Sequence, residues 1–116
     1  MKVTIYGIRN CDTMKKAFAW LEGHGVDYAF HDYKKVGVPA DRLAAWSETV
    51  GWEKLANTRG PTWRKIPDAS KRGLDEAKAL ALLEANPSAI KRPVVEWGRR
   101  VSVGFDPAEF ERLAGQ

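Results

Sequence analysis

The chain has 116 residues, 44% of them hydrophobic and 29% charged, which is the make-up of one ordinary globular domain and excludes a disordered or fibrous chain. With one cysteine, Cys11, and two histidines, a disulfide framework, a Cys-x-x-Cys pair and a cysteine-based zinc cluster are excluded, and a reducing cytoplasm is expected. The net charge of +4 is uneven, since residues 59–100 hold ten basic against five acidic groups, and a local cationic field of this kind suggests an anionic ligand over a general affinity for nucleic acid.

Val3 and Ile5 alternate with Thr4 and Tyr6 as far as Gly7, which predicts a first strand in a central, buried position. A polar turn, 9–13, follows. Met14, Ala17, Phe18 and Leu21 then recur at helical spacing until Gly23 and Gly25. Residues 28–33 read as a second, aromatic-rich strand, so the opening is a β-α-β unit with parallel strands. Residues 1–11 lack the apolar stretch and small-residue cleavage site of a signal peptide. No run approaches the roughly 18 apolar residues of a membrane span.

The middle is helical. Pro39 and Asp41 open a helix with Leu43, Trp46 and Val50 on one face and Gly51 at its end. Residues 52–57 form a short helical piece, and 58–73, with two prolines, two glycines and a basic character, read as a loop or short turns. Asp75 and Glu76 start an apolar helix that runs to Ala85 and stops at Asn86-Pro87.

The last third returns to strands. Residues 93–97 and 101–103 flank a turn at Gly98-Arg99 and predict a hairpin. A final helix starts with Asp106 as cap, Pro107 as first residue and Glu109 as capping-box partner, with Phe105 and Phe110 as a hydrophobic staple. The order β-α-β, helices, β-β-α is that of a thioredoxin-like fold. The expected class is α/β, with a mixed four-stranded sheet and a helical insertion at about 38–90, in a single domain.

Cys11 falls between the first strand and the first helix. Helix N-termini carry unpaired N–H groups and a partial positive charge, and there a cysteine pKa can fall to roughly 3.5–7.5. The neighbouring Asp12 opposes this. The other reading of a single cysteine is a small buried hydrophobe, against which stand the polar flanks Arg9, Asn10 and Asp12. Pro93, after Arg92, occupies the place where thioredoxin-like proteins carry a cis proline facing the cysteine. His24 and His31 have no further ligand at metal spacing, so no metal site is expected. Trp63, in the basic loop, is the tryptophan expected to line a ligand pocket.

Several ordered pieces are similar to a known family: Tyr6-Gly7-Ile8 with Asn10-Cys11-Asp12-Thr13 and Lys15-Lys16, Asn57-Thr58-Arg59-Gly60 with Thr62-Trp63-Arg64-Lys65, Ile90-Lys91-Arg92-Pro93-Val94, and Val103-Gly104-Phe105-Asp106. The chain resembles the arsenate reductase–Spx group, the ArsC family, and most closely its YffB-like branch. The resemblance implies a thioredoxin-like domain in which Cys11 is the catalytic nucleophile. In arsenate-reducing members the cysteine attacks arsenate, glutathione attacks the adduct, and glutaredoxin regenerates the enzyme. Three arginines bind the oxyanion there. Arg59 and Arg92 match two of them, while Val103 stands at the third, with Arg99 and Arg100 offset nearby.

The YffB-like branch implies a glutathione-dependent thiol reductase. Met14 stands where regulatory members carry a second cysteine, so a disulfide switch at this motif is excluded. The expected site is Cys11 as nucleophile, with Arg59, Arg92, Asn10, Pro93 and Arg100 binding substrate or anion. Glutathione is the expected co-substrate and no bound cofactor is expected. Glutaredoxin is a further partner, and the protein is expected to be a cytoplasmic monomer that binds neither membrane nor nucleic acid. The alternative is a non-enzymatic, Spx-like regulatory protein that binds an acidic partner through an arginine-rich face.

Overall fold

Four strands form one mixed sheet in the order β2-β1-β3-β4 in a computed structural model that describes residues 1–115. They are β1 (Val3–Gly7), β2 (Ala29–Asp32), β3 (Val94–Trp97) and β4 (Arg100–Val103). β1 runs parallel to β2 and antiparallel to β3, and β3 is antiparallel to β4. The helices are α1 (Asp12–Gly23), α2 (Tyr33–Val36), α3 (Ala40–Val50), α4 (Trp52–Leu55), α5 (Pro61–Lys65), α6 (Glu76–Ala85) and α7 (Pro107–Ala114). This is the thioredoxin-like α/β arrangement, with β1 inside the sheet as expected for the first strand.

The chain divides into two compact units, Met1–Val36 with the chain from Arg92 onward, and Gly37–Lys91. In the first, alternation decides which side chains go inward. Val3 and Ile5 of β1 and Val95 and Trp97 of β3 share one sheet face. They join Met14, Ala17 and Leu21 of α1 and Phe110 and Leu113 of α7 in one buried cluster. Gly7 makes room for Met14, because a Cβ there would stand 2.5 Å from the Met14 sulfur. The Trp97 indole N–H, buried in this core, donates to Ser102 Oγ on the neighbouring strand at 2.9 Å.

In the second unit α3 packs on α4 and α6. Leu43, Trp46, Leu55, Ala79 and Leu83 are buried there, and Ser47 Oγ donates to Glu76 Oε2 at 2.7 Å. An antiparallel bridge, Ala56 with Ile90, joins the segment after α4 to the C-terminal end of this unit, flanked by Asn57 N–H to Ala89 O and Lys91 N–H to Leu55 O.

Four expectations are corrected. β2 is shorter than 28–33, because Asp32 Oδ1 accepts from Lys34 N–H at 2.9 Å and Tyr33 turns into α2. β3 starts at Val94, since Pro93 has no N–H to give the ladder, although its carbonyl accepts from Gly104 N–H at 2.8 Å. The stretch 58–73 is more helical than its composition suggests: Pro61 opens α5 behind Gly60, and Asp68–Lys71 is a 3-10 turn. Asp106 caps α7 by accepting from Ala108 N–H at 3.1 Å, but Glu109 turns towards Arg112, 3.7 Å away, and does not close the box. The staple does form, with the Phe105 and Phe110 rings edge-to-face at 4.9 Å.

Replacing Ser102 by Ala strands the buried Trp97 N–H. It should lower unfolding stability by about 1–3 kcal/mol, read from the urea midpoint with an unchanged m value; an unshifted midpoint would show that the bond contributes nothing.

Candidate active site

Register gathers the site. Gly7, at the end of β1, pairs with Asp32, at the end of β2. Tyr6 pairs with Val94 at the start of β3, and Val94 with Val103 at the end of β4. These residues therefore share one end of the sheet. From that end leave the 8–11 loop to Cys11, the turn into Tyr33, and Arg92-Pro93, whose peptide bond is cis as expected.

Cys11 is the N-cap residue of α1, with extended backbone (φ −148°, ψ 131°), and it is a free, half-buried thiol. The thiol makes no capping hydrogen bond, but its anion is well provided for. Burial pushes the pKa up, yet the N–H groups of Met14 and Thr13 and the charge and hydrogen bonding of Arg92 outweigh it and bring the thiol below its ordinary value. Arg92 is half-buried and Pro93 buried. The backbone of α1 and one guanidinium together therefore favour the nucleophilic form.

The other expected residues fare differently. Asn10 is exposed in the bend before Cys11. Arg100 is opposite Trp97, three residues along the ladder from the Val94–Val103 pair. That is about 10 Å along the strand, so Arg100 is at the far end of the sheet and does not join Cys11; the reading that placed it in the anion site is corrected. Val103 holds the near end of β4 and brings no charge.

Arg59 belongs to the helical unit. It is exposed on a turn closed by Gly60 N–H to Asn57 O at 3.0 Å. A Cβ on Gly60 would come within 2.5 Å of Asn57 Nδ2, so a larger residue there would push the Asn57 side chain aside. Arg59, Lys91, Asn57, Thr58, Ala56 and Glu53 line a polar cavity of about 250 Å³. Trp63 is 7% exposed, with the Lys71 ammonium 5.6 Å from its ring centre, so it is a core residue of the helical unit and not the ligand-facing one expected.

Sequence reading missed four polar side chains on the sheet face opposite the main core. Tyr6 OH donates to Glu96 Oε1 at 2.9 Å. The His31 ring stands 5.1 Å from that of Tyr6 and 6.0 Å from that of Tyr33. Tyr33 is 3% exposed, and its hydroxyl has no hydrogen-bond partner. The signal available was position: Tyr33 follows the C-terminal end of a parallel strand, where ligands gather in α/β sheets. Among the described residues no cluster of three His, Cys, Asp or Glu could hold a metal, and no helix is long and apolar enough to cross a membrane.

A thiol-disulfide oxidoreductase-like fold with one activated thiol at a helix N-terminus is thus the class that fold and site define. The model of the ArsC family matches residues 6–113, and the chain belongs to that family. The solved structure of a protein called YffB is 49% identical, with a TM-score of 0.94, over 97% of this chain and 98% of that one. An arsenate reductase (ArsC) related protein from Brucella melitensis is 54% identical, with a TM-score of 0.76, over 97% and 93%. An uncharacterised protein of Haemophilus influenzae is 38% identical over 94% of this chain and 96% of its own length. The likeness places the chain in the YffB-like branch of the family.

The lowered thiol pKa has a checkable sign. Iodoacetamide labelling of Cys11 should reach half its maximal rate below the ordinary thiol value of about 8.5. Arg92→Ala should move that midpoint up, and Arg100→Ala should leave it in place. Because the folded pKa is depressed, the thiolate contributes stability that is full above the unfolded pKa and fades as pH falls through the folded one. Relative to Cys11→Ser, the wild-type chain should therefore gain stability as pH rises through that interval; a flat difference in urea midpoints would remove the thiolate from the folded state.

Proposed function

We propose that this chain is a monothiol, glutathione-linked thiol reductase with Cys11 as its nucleophile. The observation that carries the reading is the sulfur at the start of α1, held below its ordinary pKa beside Arg92, in a chain with no second thiol. A lone thiolate completes a redox cycle only with an outside thiol. The Cys11 thiolate attacks the glutathione sulfur of a mixed disulfide between glutathione and a second thiol. A Cys11–glutathione disulfide forms, and the second thiol leaves as thiolate, taking up a proton. A second glutathione thiolate then attacks the glutathione sulfur of that adduct, releases glutathione disulfide and restores the Cys11 thiolate. One mixed disulfide is reduced and two glutathione sulfurs become one disulfide, so electrons balance.

Arg92, next to Pro93, and Asn10, next to Cys11 in the sequence, are the groups this reading assigns to the carboxylates of glutathione, through charge-assisted hydrogen bonds. Glutaredoxin is an alternative supplier of the resolving thiol. The reading implies a reducing compartment, the cytoplasm, and no bound cofactor. Arsenate reduction is weak in this reading, because Val103 stands where arsenate-reducing members carry the third arginine.

Glutathione disulfide should place one glutathione on Cys11 by mass spectrometry, and reduced glutathione should remove it. Cys11→Ser should take none. Arg92→Ala should slow adduct formation by about 30-fold, the equivalent of roughly 2 kcal/mol. Adduct formation no faster than on an unstructured cysteine peptide would overturn the reading.

A further inference from the structure

A phenol buried without a hydrogen-bond partner is uncommon in a native protein, since leaving such a donor unmet is costly. Tyr33 is such a phenol, 3% exposed and with its hydroxyl unpartnered. Its surroundings are not those of an apolar core. The His31 ring lies 6.0 Å from its own, and the fields of Tyr6, Arg92 and Glu96 all act on its hydroxyl. Tyr6 OH gives its proton to Glu96, so a neighbouring phenol on the same sheet face is satisfied where Tyr33 is not.

Two further facts tie Tyr33 to the reactive centre. It follows directly on Asp32, which is paired with Gly7 at the sheet end from which the Cys11 loop departs. The guanidinium of Arg92 acts on both the Cys11 sulfur and the Tyr33 hydroxyl. The charge of one cation thus reaches a nucleophile and a neutral donor together. The structure assigns Tyr33 to this centre: its hydroxyl is a hydrogen-bond donor held for an acceptor oxygen of an anionic ligand that pairs with Arg92 beside Cys11. Burial pushes the phenol pKa upward, so the group remains a donor throughout the range in which the thiolate works. A neutral donor together with the Arg92 guanidinium suits a carboxylate, whose oxygens accept from both.

The inference rests on Cys11 and Arg92 forming the reactive centre, but not on glutathione. Its test compares two alkylators of the one thiol in the chain, anionic iodoacetate and neutral iodoacetamide. The quotient of their rates, taken relative to N-acetylcysteine, should exceed one in the wild-type chain. In Tyr33→Phe it should fall by about tenfold, the effect of losing a hydrogen bond to a charged group. The iodoacetamide rate and its pH midpoint should stay where they were, which a general disturbance of the site would not allow. Thermal stability should hold or rise, because the variant removes an unmet hydroxyl.

An unchanged quotient in Tyr33→Phe, or a wild-type quotient no greater than one, overturns the assignment. Should Tyr33→Phe fail to fold, the fluorine resonance of 3-fluorotyrosine at position 33 in the wild-type sequence serves instead. It should shift as acetate is added, and a resonance that ignores acetate overturns the assignment equally. Loss of glutathione turnover with an intact Tyr33 effect would sink only the thiol-reductase reading.

Discussion

The pairing of β1 with two partners at once is the constraint on which the rest of this centre depends. Ile5 lies opposite Phe30 in the parallel ladder and opposite Val95 in the antiparallel one. Slipping either register by one residue would turn every side chain of that strand to the other face. The registers are held by burial: Val3, Ile5, Val95 and Trp97 must face α1 and α7 together. The same alternation sends Tyr6, His31 and Glu96 to the opposite face. Packing on one side therefore decides which polar groups meet on the other.

The electrostatics of Cys11 are a contest with a clear outcome. Burial disfavours the thiolate, and the start of α1 and Arg92 favour it; the favouring side wins. None of these contributors depends on a second thiol. Met14, one turn into α1, is fully buried against Gly7 and serves the core. Position 14 is thus a packing position, and with Cys11 the one cysteine in the sequence, resolution of any disulfide is left to an outside thiol.

The local features were legible in the residues themselves. The caps at Asp75 and Asp106, the stops at Gly51 and after Ala85, the Phe105–Phe110 staple and the hairpin turn at Gly98-Arg99 are short-range effects, fixed by backbone preference and nearest-neighbour contact. Arg100 shows where such reading stops. Along the chain it is close to the third-arginine position, yet antiparallel pairing turns three residues of offset into the length of the strand. Trp63 makes the same point through burial: a basic loop around an aromatic suggests a ligand site, but the ring is needed for the small helical core.

By itself the sequence determined the order of elements, the single thiol, its place at a helix start and the presence of Arg59 and Arg92 in their motifs. Each of these depends on composition or on residues within a turn of one another. Only the tertiary structure decided that Arg92 and not Arg100 faces Cys11, that β2 ends early enough to turn Tyr33 inward, and that its hydroxyl is left without a partner. Those outcomes depend on strand register and burial, which bring together residues 22 and 81 positions away from Cys11 along the chain, and no local pattern encodes them.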